Sequence, residues 1–118
     1  MKQYDIHERI FNFIVDVIRF LNKLPKTPSN LIFIAQITRS VTSMGANDQE
    51  ADGASSKKDF LHCYTIVRKE LKEARYWLSI LSELDDKLKS KFSNSIRENN
   101  ELIKIISSII SKVATKIS

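Results

Sequence analysis

Residues 60–81 read FLHCYTIVRKELKEARYWLSIL and contain the clearest periodic pattern in the chain. Apolar residues recur here at intervals of three and four, which places them on one face of an α-helix for about six turns. Such a helix is stable only when its apolar face is buried against other helices. The residues of this face are Phe60, Tyr64, Val67, Leu71, Ala74, Leu78 and Leu81.

The same spacing predicts two helices before this one. Helix one covers residues 6–24 and ends at Pro25, because proline disfavours helical geometry in the residue before it. Helix two covers about residues 30–50 and is capped by Thr27 or Ser29. Its inner face is predicted to be made largely of small residues, which let a neighbouring helix approach closely. These residues are Leu31, Ile34, Ala35, Thr38, Thr42 and Gly45.

A fourth helix is predicted over about residues 96–117, where isoleucines cover half of the helical wheel. The polar residues 85–94 before it form either a turn or its first turns. Short connections make neighbouring helices antiparallel, and two glycines and two prolines leave little material for strand turns. We therefore expect one all-α domain, residues 1–118, folded as an antiparallel up-down-up-down four-helix bundle.

Charge and cysteine content limit the partners and the compartment. Nineteen basic and fourteen acidic residues give a net charge of +5, which favours polyanions but is also compatible with an ordinary solvated surface. The single cysteine, Cys63, has no intrachain partner, so a reducing, cytoplasmic location is expected. Charged residues interrupt the apolar residues near the start, which argues against a signal peptide or a membrane contact.

A basic surface is predicted on helix three, opposite its apolar face. Its cations would contact phosphates of RNA or DNA, and its tyrosine would offer a ring for stacking. The alternative is a solvated face on which Glu73 and Glu83 balance the positive charge. The candidate nucleic-acid-binding residues are Lys57, Lys58, Arg68, Lys69, Lys72, Arg75 and Tyr76.

No combination of residues predicts catalysis, a metal site or a cofactor. His7 lies on the apolar side of helix one, where a histidine is usually a hydrogen-bonded residue at the edge of the core. His62 and Cys63 are adjacent, so their side chains diverge by about 100° on a helix and do not form a nucleophile and base. Acidic residues alternate from Asp48, but the twelfth position of a calcium loop beginning there is Asp59, where glutamate is needed.

Two further groups of residues indicate contacts between helices or between subunits. Glu70 lies close to the apolar face of helix three, and Arg39 is its candidate partner in an ion pair that fixes helix register. Apolar residues away from the main inner faces indicate self-association, or alternatively a wider core. The candidate interface residues are Phe33, Ile37, Met44, Ile66 and Trp77, and Leu84 belongs to the same apolar group.

Three segments carry a family resemblance: RSVTSMGANDQEA at residues 39–51, SKKDF at 56–60 and KELKEARYWL at 69–78. The chain resembles the bacterial four-helix-bundle proteins encoded within intervening sequences of 23S ribosomal RNA genes. Asp48 stands where that family usually has an aromatic or aliphatic residue, so packing around Asp48 is expected to differ. The resemblance implies a homopentameric ring. Accessory variability proteins of diversity-generating retroelements, which bind a reverse transcriptase and nucleic acid, share that architecture.

These observations favour a non-catalytic homo-oligomer that binds RNA or DNA through the basic face of helix three. Arg68, Lys69, Lys72 and Arg75 are expected to supply the phosphate contacts. The alternative is a protein-interaction adaptor in which the positive charge serves solubility and the partner is another protein.

Overall fold

Four long α-helices make up most of the chain in a computed structural model that describes residues 5–117. Residues 1–4 and Ser118, which the single-domain prediction included, lie outside the described residues. A short 3-10 turn precedes the last helix. The elements are α1 (Ile6–Leu21), α2 (Pro28–Asp52), α3 (Lys57–Leu84), the turn Asp86–Leu88 and α4 (Lys89–Ile117).

The helices are arranged in a square in which α1 and α3 each pack against α2 and α4. Neighbouring helices are antiparallel, because residues further along one helix contact residues earlier in the next. The start of α1 meets the end of α2 through His7 and Asp48, and Arg75 late in α3 meets Asn100 in α4. The predicted all-α, antiparallel up-down-up-down four-helix bundle is therefore confirmed over the described residues.

The apolar face of α3 forms the centre of the core, as its sequence predicted. Six of its seven predicted residues, from Tyr64 to Leu81, are buried, and Phe60 is half-buried at the end of the bundle. Val17 of α1 and Leu102 and Ile106 of α4 complete the same core. The side chain of Ile117, the last member of the predicted helix-four pattern, lies outside the described residues.

The prediction for the inner face of α2 was wrong. Leu31, Ala35 and Thr42 are exposed, and the helix is rotated by about 120° from the predicted orientation. Large residues such as Ile37 and Met44 remove more apolar surface from water than the small residues do, so their side of the helix is buried. The buried residues of α2 are Ile37, Ser40, Val41, Met44, Asp48 and Ala51.

Gly45 nevertheless permits a close approach, at the half-buried side of α2 that faces α1. A Cβ atom on Gly45 would lie 2.8 Å from Cδ1 of Ile14, which is closer than two carbon atoms pack. The predicted close contact at this glycine is therefore present, although the rest of the predicted small-residue face points elsewhere.

Helix ends follow local capping chemistry. Thr27 and Ser56 begin α2 and α3, and their hydroxyls accept hydrogen bonds from the backbone N–H groups of Asn30 and Asp59. Among the described residues, no helix has both the length and the apolarity that a membrane crossing requires.

Two helix boundaries differ from the sequence prediction. Helix α1 ends at Leu21 rather than Leu24, because the residue before Pro25 is disfavoured in helical geometry and the last turn loosens. Helix α4 begins at Lys89, seven residues before residue 96, so of the two alternatives for residues 85–94 the one that made them the first turns of this helix holds from Lys89 onward. Phe92 in this first part of α4 is buried and meets Phe20 of α1 edge to face, with ring centroids 4.6 Å apart.

Candidate nucleic-acid interface

The net positive charge of the chain lies entirely in its second half. Residues 1–56 contain six basic and six acidic residues, whereas residues 57–118 contain thirteen basic and eight acidic residues. The whole excess of +5 therefore belongs to the half of the chain that forms α3 and α4. Neighbouring α3 and α4 concentrate that charge on one side of the bundle.

Two arginines of α3 lie along the groove between α3 and α4. Nη1 of Arg75 donates a hydrogen bond of 2.9 Å to Oδ1 of Asn100, and Nη1 of Arg68 lies 3.5 Å from Oγ of Ser107. We call these four residues the arginine seam. Each guanidinium has five N–H donors and uses one in the seam, so it is oriented while other donors stay available for an anion.

A cation of α4 that the sequence analysis missed lies beside the arginine seam. Lys104 is exposed and lies between Asn100 and Ser107 at four- and three-residue spacing, hence on the same face of α4. It also lies 3.7 Å from Glu101 across an exposed ion pair. Polar residues at this spacing within the isoleucine-rich α4 were the available signal for a polar groove-facing side.

The remaining residues of the predicted basic surface lie outside the seam. Lys69, Lys72 and Tyr76 are exposed on the outer face of α3, and Tyr76 is 61% accessible. Lys57 and Lys58 are exposed at the start of α3, about 16 Å along the axis before Arg68. Lys57 shares a shallow pocket with Lys116 of α4, so this end of the bundle also carries positive charge.

Arg39 lies beside two carboxylates of α3. Its Nη1 is 3.4 Å from Oε2 of Glu70, the partner that the sequence suggested, and its Nη2 makes a closer contact with Glu73. Burial raises the pKa of Glu73, but the hydrogen bond from Arg39, together with the other donors and positive charges around the carboxylate, outweighs it and the net pKa is lowered. Glu70 is buried, and its Oε1 has no hydrogen-bond partner among the described residues.

Some residues of the predicted oligomer interface are buried inside the protomer, and others remain accessible. Ile37 and Met44 are fully buried within the protomer, because the rotation of α2 turns them into its core, so these two assignments were wrong. Phe33, Ile66 and Trp77 are half-buried and remain candidates. Leu84 at the end of α3, which the sequence placed in the same apolar group, is exposed, and so are Leu31 and Ile32 at the start of α2, which the interface prediction did not contain.

Asp48 is the centre of a polar cluster that joins three helices. Its carboxylate is 1% exposed and accepts a 2.8 Å hydrogen bond from the Tyr64 hydroxyl. Nδ1 of His7 lies 2.9 Å from both Asp48 oxygens, and Nε2 of His7 lies 3.2 Å from Asp52. The position at which different packing was expected thus holds a buried carboxylate with two side-chain partners, His7 and Tyr64.

Contact with Asp48 contributes to a raised pKa in both of its partners, His7 and Tyr64. Partial burial lowers the pKa of His7, but the hydrogen bond to Asp48 and the charges of Asp48, Asp52 and Asp5 outweigh it, so the net pKa is raised above 6.5. Burial, assisted by the same carboxylate, raises the pKa of the Tyr64 hydroxyl. Tyr64 therefore acts as a permanent hydrogen-bond donor to Asp48.

The cysteine and the possible metal ligands are not arranged for chemistry in the described residues. Cys63 is buried on the core side of α3, and burial raises the pKa of its thiol, which keeps it protonated. Across the described part of the chain, no three His, Cys, Asp or Glu side chains are grouped so as to hold a metal ion.

Comparisons with known proteins identify the family. The family model described as "23S rRNA-intervening sequence protein" matches residues 2–108. A solved protein of unknown function from the S23 ribosomal protein family of Bacteroides thetaiotaomicron VPI-5482 is similar, with 29% identity and a TM-score of 0.81 over 90% of this chain and 95% of that chain. A search of the curated proteins found no match. The chain therefore belongs to the 23S rRNA-intervening sequence protein family.

Proposed function

We propose that this protein is a non-catalytic, self-associating helical bundle that binds nucleic acid through the side formed by α3 and α4. The observation that carries the proposal is the confinement of the whole +5 charge to residues 57–118, with Arg68 and Arg75 oriented in the groove between the two helices. Cations held in place lose less conformational freedom when they bind a phosphate than free side chains do.

Backbone phosphates are the group that this surface suits. Arginine binds a phosphate through paired N–H donors, and exposed lysines such as Lys69 and Lys72 add attraction without strict geometry. A surface of this kind contacts the backbone of any sequence, so the binding is expected to be weakly sequence-specific and strongly salt-dependent.

The arrangement of His7 supports the non-catalytic part of the proposal. Its Nδ1 faces Asp48 and its Nε2 faces Asp52, so both ring nitrogens are engaged by carboxylates of α2. A general base needs one nitrogen directed at a substrate proton. A cytoplasmic location agrees with the buried Cys63, which a reducing compartment keeps as a thiol.

Exposed apolar residues support self-association. Leu31 and Ile32 at the start of α2 and Leu84 at the end of α3 are large exposed apolar side chains at the same end of the antiparallel bundle, and exposed apolar surface of this kind marks interfaces. The same patch would serve the alternative function, a protein adaptor, if its occupant were another protein. By analogy with the family resemblance, the proposed assembly is a ring of five protomers.

The test is binding of purified, nuclease-treated protein to labelled structured RNA and duplex DNA over a salt series. Replacing Arg68, Lys69, Lys72 and Arg75 by glutamine is expected to weaken binding and to reduce the log–log salt slope by about 3, because up to four phosphate contacts are lost. The control replaces three exposed cations in the neutral first half of the chain by glutamine, and the effects are compared per charge removed. These are Arg19, Lys23 and Lys26.

Two results would count against the nucleic-acid proposal. One is unchanged affinity in the variant that lacks the four α3 cations, and the other is no binding by the natural chain even at low salt. Either result would favour the protein adaptor, whose partner would be sought by affinity purification after nuclease treatment.

A further inference from the structure

We infer that the partner is single-stranded nucleic acid, whose backbone follows the outer face of α3 and one of whose bases stacks on Tyr76. The inference rests on the proposed function and narrows its ligand class. It is carried by a stripe of exposed residues on α3 and by the aromatic rings behind the last of them.

The exposed residues recur at intervals of three and four and therefore form one straight line along the helix. The line is about 27 Å long and starts at the first turn of α3. All of its members are exposed, and three of them are lysines. We call it the outer stripe, and its members are Lys58, His62, Thr65, Lys69, Lys72 and Tyr76.

The carboxylates in this part of α3 are directed to other partners. Glu70 is buried against α2, Glu73 contacts Arg39, and the Asp59 carboxylate lies 3.2 Å from the Ser55 hydroxyl. No acidic residue lies in the line itself, so the outer stripe carries positive charge at Lys58, Lys69 and Lys72, which Glu73, one helical turn from Lys69, balances only in part. Such a stripe suits an extended polyanion.

Three aromatic rings form a row at the end of the outer stripe. The rings of Phe33 and Trp77 have centroids 5.8 Å apart, and those of Trp77 and Tyr76 are 5.2 Å apart in an edge contact. Trp77 is half-buried and contacts one side of the ring of Tyr76, a residue that is 61% exposed. A ring that is held from one side and open to solvent on another is a stacking surface.

The spacing of ring and cation fits one nucleotide. Lys72 precedes Tyr76 by one helical turn, about 6 Å along the axis. A base and its own phosphate are separated by one sugar, so Tyr76 and Lys72 can hold the two ends of the same nucleotide. Arg75 in the seam lies beside both residues and adds a second phosphate donor.

An unpaired strand uses this arrangement better than a duplex does. Inside a duplex the faces of the bases are covered by their neighbours, and a ring on a convex helix surface cannot reach them. A single strand exposes its base faces, and stacking of a base on an aromatic side chain contributes about 1–3 kcal/mol. The lysines would attract both ligands, so Tyr76 is the residue that distinguishes them.

The experiment compares a labelled oligouridylate with the same strand annealed to oligoadenylate, at one low salt concentration, by fluorescence anisotropy. Oligodeoxythymidylate, alone and paired with oligodeoxyadenylate, tests DNA in the same way. We expect the natural chain to bind the single strands more tightly than the duplexes. Tyr76→Leu is expected to weaken single-strand binding by about 10-fold and to leave duplex binding unchanged.

Two controls distinguish stacking from other effects. Tyr76→Phe keeps the ring and should retain the preference for single strands. Trp77 is the only tryptophan, and its ring contacts Tyr76, so its fluorescence should change on binding of a single strand and not of a duplex.

The outcomes separate this inference from the function on which it rests. Equal affinity of the natural chain for single strands and duplexes would overturn the stacking inference, and so would an unchanged preference in Tyr76→Leu. Both results would leave general nucleic-acid binding in place. Failure of the natural chain to bind any of these ligands at low salt would instead overturn the proposed function, and this inference with it.

Discussion

Asp48 shows at the scale of single residues how a buried charge is accommodated. A carboxylate without partners in a helical core costs several kcal/mol, but Asp48 accepts a hydrogen bond from Tyr64 and faces His7. The three residues come from three different helices and are 41 and 16 positions apart. The sequence showed a histidine at the edge of the core and an unusual aspartate, but periodicity within single helices could not bring them together.

Stability should fall as the pH rises through the pKa of His7. The folded state holds His7 charged beside Asp48 and Asp52, and its pKa is raised above the ordinary 6.5. The stabilisation from this group is complete below pH 6.5 and is lost as the pH passes the higher folded-state pKa. Urea unfolding from about pH 5 to about pH 9 measures the effect.

The comparison protein for this measurement is His7→Gln, which cannot gain the proton. Its free energy of unfolding should vary less over the same pH range. If both proteins show the same dependence on pH, His7 is not the group responsible.

Removal of the buried hydroxyl of Tyr64 should destabilise the bundle. Tyr64→Phe leaves the Asp48 carboxylate without its 2.8 Å donor, which costs about 1–3 kcal/mol of unfolding free energy. Tyr76→Phe removes the same group from an exposed ring and should leave the unfolding midpoint unchanged. Equal midpoints for the two variants would mean that the Tyr64 hydrogen bond contributes no net stability.

At the scale of helices, the quality of prediction followed the regularity of the pattern. Helix α3 has one uninterrupted apolar face, and its position and core side were predicted correctly. Helix α2 has apolar residues on several sides, so its own sequence did not determine which side is buried. The choice was made by packing against α1 and α3, which is tertiary information that no periodicity contains.

The early start of α4 depends on one aromatic side chain. Residues 89–95 contain a single apolar residue, Phe92, which is too few for a periodic pattern. Its burial against Phe20 fixes the first turns of α4 to α1. A tertiary contact therefore extends the helix beyond the residues whose sequence predicts it.

Phe92→Ala should destabilise the protein by about 3–5 kcal/mol, because it removes a buried ring and leaves a cavity. Phe11→Ala is the matched control, since Phe11 is 66% exposed on α1 and its loss creates no cavity. Urea unfolding of both variants gives the comparison. A similar midpoint for both would show that the contact between α4 and α1 is not needed for stability.

At the scale of the molecule, the fold class followed from length, glycine and proline content and helical periodicity. The candidate site was predicted from the sequence only in part. The basic residues of α3 were predicted, but the orientation of Arg68 and Arg75 depends on Asn100 and Ser107 of α4. A helical wheel of α3 alone does not show which residues of α4 lie next to it. For the same reason, Ile37 and Met44 were assigned to a surface although both lie in the core.

Self-association is tested by the mass in solution. Multi-angle light scattering should give about five times 13.6 kDa if the proposed pentamer forms. Ile32→Lys places a charge in the exposed apolar patch and should shift the mass toward one protomer, because a buried unpaired charge opposes association. Phe11→Lys changes an equally exposed apolar residue on α1 and should leave the mass unchanged, since the exposed fractions are 63% and 66%.

A mass of 13.6 kDa for the natural chain would contradict self-association directly. Loss of assembly in Phe11→Lys and not in Ile32→Lys would place the interface on α1 instead.

The uneven distribution of charge along the chain also affects how the molecule meets a ligand. One half of the sequence is neutral and the other carries the entire excess, so the bundle behaves as an electric dipole in addition to a cation. A polyanion at a distance would exert a torque that turns the α3 and α4 side toward it before contact. Encounters would then begin in a productive orientation, so the association rate would be raised at low ionic strength and would fall as salt shortens the reach of the field.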